Sequence, residues 1–314
     1  MRKRDLLLST TVLGGTLAAA APAMAADMRV PPPMPAPAVD GANWKLSGLG
    51  GTIANQSLAG GVGAYTFPLQ GPYGVQIDGG AGSLGGSGWA TVAGHLFWRD
   101  PSKALYGLYG SFTELDRFGG VRAGHVAGEG ELYLGRYTVQ GLMGVEFGNS
   151  VSTSNTGVIQ TGIPFGQINT TITNSQGFAI KTRFFDQINL KYYLSDYFDA
   201  YVGHRYLGGK NAAAFGGEFS APLGRGVLGS LFVEGRAGES AFHGIWGGVK
   251  LYFGPNDKSL IARHRTQDPA MLLETWDNLF TILNNANSST NTTNQKVCFF
   301  GRPFSGGSCP EGGG

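Results

Sequence analysis

The chain is 314 residues long, 42% of them hydrophobic and only 14% charged, against about 25% charged in an ordinary soluble domain. Its formal net charge is +2, and the basic excess sits in a leader (Arg2, Lys3, Arg4 against Asp5), so the remainder is balanced and no nucleic-acid partner is expected. The 53 glycines would suit disorder, but 19 Phe, 12 Tyr and 5 Trp do not.

Residues 1–25 have the form of a secretory signal peptide: the basic start, an apolar run from Leu6 to Ala20, then Ala23-Met24-Ala25 in the A-x-A cleavage pattern. The mature protein is expected to begin at Ala26. Residues 26–43 contain VPPPMPAPAV from Val30, which predicts an extended, stiff periplasmic linker.

From Trp44 to Phe253 the chain runs in short segments in which every second residue is apolar or aromatic. Such alternation over about ten residues is the signature of a transmembrane β-strand, with one face in lipid and the other in a lumen. After the leader no stretch approaches the roughly 18 apolar residues of a spanning helix. The expected fold is therefore all-β, an antiparallel transmembrane β-barrel occupying residues 44–253. Its strands are predicted at Trp44 to Ala54, Leu58 to Phe67, Tyr73 to Ser83, Trp89 to Arg99, Leu105 to Leu115 and Gly124 to Gly135, then Tyr137 to Gly148, Phe178 to Leu194, Phe198 to Leu207, Ala212 to Ala221, Val227 to Gly238 and Phe242 to Phe253. That makes twelve, with ten as the fallback. Short turns such as Asp100-Pro101-Ser102-Lys103 follow even-numbered strands, while the Ser/Thr/Asn-rich stretch 149–177 follows an odd one and is predicted to be a solvated external loop.

A Lys or Arg on the lipid face near mid-membrane costs about 2–4 kcal/mol, which assigns the two sides of each strand. Lys250 goes inward with Trp246, Gly248 and Tyr252; Glu234 and Arg236 share a face opposite Leu231 and Val233; Gln187 and Lys191 lie opposite Ile188 and Leu190. Asp78, Glu129, Glu131, Glu146 and Glu218 fall on the polar sides of their strands. These ten residues are the candidate lumen lining. They either line a water-filled path or close it as salt-bridged pairs. Around Tyr201 to Leu207 the assignment stays open, because His204 and Arg205 fall on opposite faces. Trp44, Trp89, Trp98, Tyr137, Tyr192, Tyr193, Tyr197 and Phe253 lie near strand ends, as the aromatic girdles of such barrels do.

Residues 254–314 break the pattern and are expected to form a periplasmic extension. Asp268-Pro269 suits the start of a helix, and Leu272, Trp276, Leu279, Phe280 and Leu283 recur at helical spacing. A polar linker, Asn284 to Asn294, precedes Cys298 and Cys309, which an oxidising compartment would pair as a disulfide; two free thiols are the alternative. The helix also has the apolar face that a lumen plug would need.

Catalytic and cofactor chemistry has little support. Gly80-Ala81-Gly82-Ser83-Leu84-Gly85 matches G-x-G-x-x-G but has no following helix, and no G-x-S-x-G, H-E-x-x-H, P-loop or EF-hand pattern occurs. No enzyme activity, metal or cofactor is expected, and a lipid hydrolase assembled across strands is the outlying alternative.

The runs GHLFWRDPSK from Gly94, GEGELYLGRYT from Gly128, AYVGHRYLGGKNA from Ala200, FHGIWGGVKLYFG from Phe242 and DKSLIARHRTQDP from Asp257 resemble an uncharacterised, porin-like family of alphaproteobacterial outer-membrane β-barrels. Residues 246–253 resemble the terminal-strand signal read by the barrel-assembly machinery, except for Trp246 and for not ending the chain. The resemblance implies an outer-membrane location, contact with outer-membrane lipid and that machinery as a biogenesis partner. The leading functional expectation is a passive channel for small hydrophilic solutes. The alternative is a structural or tethering barrel whose extension contacts a periplasmic or homo-oligomeric partner.

Overall fold

The computed structural model describes residues 36–163, 166–269, 277–298 and 303–304. The signal peptide, most of the proline-rich stretch, Leu272, Trp276 and Cys309 lie outside the described residues.

All twelve expected strands form, and they close on themselves. In chain order they are β1 (Asn43–Ile53), β2 (Gln56–Pro68), β3 (Tyr73–Leu84), β4 (Ser87–Asp100), β5 (Ala104–Leu115), β6 (Val121–Leu134) and β7 (Tyr137–Gly148). An inserted pair follows, β8 (Ser150–Ile163) and β9 (Gly166–Ala179), before the barrel resumes with β10 (Arg183–Ser195), β11 (Phe198–Leu207), β12 (Lys210–Gly224), β13 (Val227–Gly238) and β14 (Gly244–Phe253). β1 pairs antiparallel with β14 from Trp44↔Phe253 to Ile53↔Gly244, which leaves no open edge. Closure is what lets every backbone group be satisfied in lipid.

Side chains alternate as the cost of buried charge requires. Val92, Leu108, Val126, Met143, Val202, Leu231 and Val249 are each more than half exposed, while Gln76, Asp78, Glu131, Lys191, Glu218 and Arg236 on the opposite face are buried. The expected aromatic belt is exposed at Trp44, Tyr137, Tyr192 and Tyr197. Tyr193 departs from it, buried against His264, and so does Trp89. Its indole turns inward over two glycines, and a Cβ built on Gly60 or Gly82 would collide with the ring or with the neighbouring backbone.

One end of the barrel, the turn end, carries Asn43, Phe253 and the connections 69–72, 101–103, 135–136, 196–197 and 225–226. The other, the loop end, carries β8 and β9. The stretch expected as an irregular loop is a long two-stranded hairpin, with β8 paired to β9 from Ser150↔Ala179 to Ile163↔Gly166. Thr, Ser and Asn suit extended backbone when both faces are wet, because nothing apolar has to be sequestered.

The segment after Phe253 departs most from expectation. Helix α1 (Leu260–Thr266), preceding the expected helix, lies across the turn end: Arg265 donates to Gly135 O and Ile261 N–H donates to Asp196 O. Asp268, expected as an N-cap to residues outside the described ones, accepts from Arg263 at 3.0 Å. Helix α2 (Asn278–Asn284) lies inside the wall at the loop end, against β5, β6 and β11. The expected polar linker is strand β15 (Ala286–Cys298), which pairs with β9 along its whole length and carries β16 (Pro303–Phe304). Residues 277–298 are thus not at the turn end with the rest of the extension. The chain enters the lumen at one end and leaves at the other, because a twelve-stranded wall is too wide for its own side chains to fill.

Residues 36–43 are also more than a linker. Ala38 and Val39 are buried with Phe97, Leu105 and Tyr133, and Asp40 N–H donates to Thr266 O.

This threading fixes sidedness. Single cysteines placed at Asn155 in β8 and Thr292 in β15 should react with a membrane-impermeant maleimide from one face of the membrane, and one at Asp257 only from the other. Equal labelling of Thr292→Cys and Asp257→Cys in sealed vesicles would contradict a threaded chain.

Candidate functional site

The inner wall and the threaded segment form four layers. At the turn end α1 and residues 38–40 make a cap. Arg99, fully buried, donates to Ala38 O at 3.1 Å and Gln267 O at 3.3 Å, and Lys45 reaches Pro269 O at 3.5 Å. His264 lies under the cap, with Nδ1 2.8 Å from the Tyr193 hydroxyl and 3.8 Å from Asp199, and Nε2 3.5 Å from the Tyr252 hydroxyl. Burial holds its imidazole well below the usual histidine range, reinforced by Lys191, Lys45, Lys250 and Arg263. Burial raises the Asp268 carboxyl, and the charges of Lys45 and Arg263 oppose that rise.

Above the cap lies a polar chamber of about 40 Å³, room for a few water molecules. Its wall carries Lys191–Asp199 at 3.0 Å, Lys250–Glu218 at 3.0 Å and Tyr201 donating to Glu234 at 2.6 Å. Across the lumen His95 stands between Asp78 (3.0 Å) and Glu129 (2.8 Å), its ring 4.9 Å from that of Tyr109. Glu131 accepts from Tyr133 and Gln140, each at 2.9 Å.

The third layer is α2. Asp277, just before it, holds Arg236 at 3.1 Å, and Arg236 also reaches Glu234 at 3.3 Å. Burial raises the Asp277 carboxyl, and Arg236 opposes the rise. Asn278 bonds Ser111 and Thr113; Thr281 donates to Glu146 at 2.9 Å and lies 3.1 Å from His125. Glu146 also accepts from the Gly208 N–H at 2.9 Å and pairs with Arg183 at 3.2 Å. Gly208 has φ +62°, and a Cβ there would stand 2.5 Å from that of Asn284, so only glycine lets loop and helix approach this closely. The apolar side of α2 meets an apolar patch of wall, with Phe280 ring-to-ring with Phe242 at 4.8 Å and Trp246 at 6.0 Å. Leu279, Phe280, Ile282 and Leu283 are buried, worth about 1.5–3 kcal/mol each. The fourth layer is the sheet β16-β15-β9-β8 outside the barrel.

All ten candidate lining residues therefore lie on the inner side, nine of them with partners described above. The tenth, Gln187, is buried with no described partner for its amide. Sequence reasoning left Arg205 and His204 undecided: Arg205 is buried inside, and His204 is half-exposed beside Asp186. His264, Asp277, Thr281 and Asn278 were missed, since nothing in an isolated polar residue outside the barrel repeat shows that it enters the lumen. Cys298 is in a disulfide. Among the described residues no group of three or more His, Cys, Asp or Glu could hold a metal ion.

No protein-family profile matches the chain, and no curated protein does. Similar solved structures include the toluene transporter TbuX of Ralstonia pickettii (TM-score 0.31, 9% identity, covering 68% of this chain and 88% of that one). Another is the toluene transporter TodX of Pseudomonas putida (0.32, 10%, 68% and 89%). A chain solved in a study of the in-meso crystallization of membrane proteins has TM-score 0.38 and 11% identity, covering 80% of this chain and 99% of that one. Likenesses this distant carry no functional argument.

Two outcomes follow from the layers. Asp277→Asn leaves Arg236 with one carboxylate fewer in a buried site and should destabilise the seated segment by about 3 kcal/mol; chemical denaturation in detergent measures it. Because the folded His264 sits below its unfolded value of about 6.5, its contribution is complete above that pH and is lost as pH falls, by about 1.4 kcal/mol per unit. Amide protection factors in α1, taken relative to the slower intrinsic exchange in acid, should therefore fall below about pH 6.5, and His264→Phe should flatten that dependence.

Proposed function

We propose that the protein is an outer-membrane channel for small hydrophilic solutes, closed at rest by its own C-terminal segment. One observation carries the reading: the inward face of the barrel is polar around most of its circumference, with Thr66, Gln76, Asp78, Thr91, Gln140, Asn189, Glu218 and Ser230 all buried there. A wall meant only to grip a permanent core would be cheaper if apolar, since desolvating charges rarely gives net stability. The same residues would be well hydrated with the segment withdrawn. The polar contacts of Asp277, Asn278 and Thr281 can likewise be exchanged for water. This reading narrows the passive channel expected from the sequence to a gated one, supported by the small size of the chamber, about 40 Å³.

The leader, the lipid-facing belt and the closed wall support export to the outer membrane of a Gram-negative cell. Lipid and the barrel-assembly machinery are the partners that reading requires. A second reading, a structural anchor, is favoured by β15: a segment that pairs with β9 over thirteen residues outside the barrel is held there as much as it is held inside.

Planar-bilayer recording separates the two. In an Asp277→Asn background, Ser111→Cys with Asn278→Cys, whose side chains touch in the wild type, should show no conductance steps when oxidised and frequent ones when reduced. If neither state conducts at any voltage, the channel reading fails and the anchor stands.

A further inference from the structure

Beside the chamber lies a charge that has no counterion among the described residues. Arg205 is 1% exposed, and all three of its hydrogen bonds leave from Nη1: to Asn189 Oδ1 at 2.7 Å, His204 O at 2.9 Å and Ile188 O at 3.3 Å. Its Nε has no partner. Among the described residues no carboxylate touches the guanidinium. The nearest acids by electrostatic influence, Asp277 and Glu234, are both bonded to Arg236 instead. The other cation–acid contacts along this wall are matched pairs, Lys191 with Asp199 and Lys250 with Glu218. Lys45, at the cap side, is engaged by Pro269 O and acts on Asp268. An isolated charge in such surroundings costs several kcal/mol unless something opposite lies against it.

Arg205 lines the chamber, together with Asn189, Lys191 and Lys250. The void beside it is about 40 Å³ and is walled by polar groups. A guanidinium offers five N–H donors, and here those on Nη1 are spent on the wall while Nε is unmatched.

From this we propose that the chamber is a binding site for one small monovalent anion of halide size, held by the Arg205 guanidinium with the Asn189 amide and the Lys191 ammonium beside it. One negative charge would oppose that of the Arg205 guanidinium. A dianion would overcompensate beside Asp199, Glu218 and Glu234. The site lies between the two places where the C-terminal segment grips the wall, so the anion stabilises the closed lumen. It does not depend on whether the barrel ever conducts: halide binding and conductance are read separately, and either can fail alone.

The test uses the full-length protein in detergent, with bromide as probe. Crystals soaked in bromide should show an anomalous peak in hydrogen-bond reach of the Arg205 guanidinium. In solution, at constant ionic strength, the thermal midpoint should be higher in chloride or bromide than in gluconate. Arg205→Gln should remove the peak and raise the half-saturating bromide concentration at least about tenfold. Should that variant not fold, the wild-type soak and titration decide alone. A wild-type chamber without a bromide peak, and equal midpoints in chloride and gluconate, overturn the proposal. So does undiminished bromide binding in Arg205→Gln, or stabilisation by sulfate equal to that by chloride.

Discussion

The rest of the structure depends on a mismatch between the circumference of the wall and the volume its side chains can fill. Lipid outside forces closure and forces charge inward, and twelve strands then enclose more space than inward side chains occupy. The space must hold water or protein. In this chain it holds protein: a cap at one end, a helix at the other and a small polar chamber between. The buried ion pairs follow from that choice, since inward charges that would otherwise be hydrated have to find partners on the wall or on the returning segment. Arg236 illustrates it, meeting Glu234 two residues away on its own strand and Asp277 on the segment that enters later.

The barrel was legible because its physics is local. Alternation along β10 puts Gln187, Asn189 and Lys191 on one face and Ile188, Leu190 and Tyr192 on the other, and the lipid cost of a lysine decides which face is which. The same logic failed only where both faces carry charge, as at His204 and Arg205. The threaded segment was not legible for the opposite reason. Its contacts join residues far apart in sequence, such as Asn278 with Ser111 and Thr281 with Glu146, and a Ser/Thr/Asn-rich run reads as linker whether it is solvated coil or a strand with two wet faces. The apolar spacing of Leu279, Phe280 and Leu283 did mark a helix. It could not mark the enclosure that buries it.

The two halves of the returning segment hold the lumen by different means. α1 contributes mostly charge and hydrogen bonds: Arg263 with Asp268, Arg265 with backbone carbonyls, His264 with two tyrosines. α2 combines a polar side with four buried apolar residues whose favourable burial is independent of pH. Acid therefore loosens the cap before it loosens the helix. The sheet outside adds a third hold, since thirteen residues of β15 pair with β9 and Cys298 is disulfide-bonded. Withdrawal of α2 into the outside solvent leaves that sheet intact, whereas withdrawal toward the turn end requires it to unzip.

Threading also orders the steps of folding. β9 is reached before β10 in the chain, but its second partner, β15, comes after the last barrel strand has been made. The seam between β1 and β14 runs over ten residue pairs, and the cap uses residues on both sides of it: Asp40 before β1, and Thr266 after β14. Once that seam has closed, α1 and residues 38–40 cover the turn end. An extended segment crosses a polar wall more readily than a folded one, so pairing with β9 is expected to follow the crossing. Ser, Thr and Asn suit such a passage: they remain soluble as an extended chain inside a polar wall, and form strand only when β9 supplies an edge. The composition that reads as a linker is the composition a crossing segment needs.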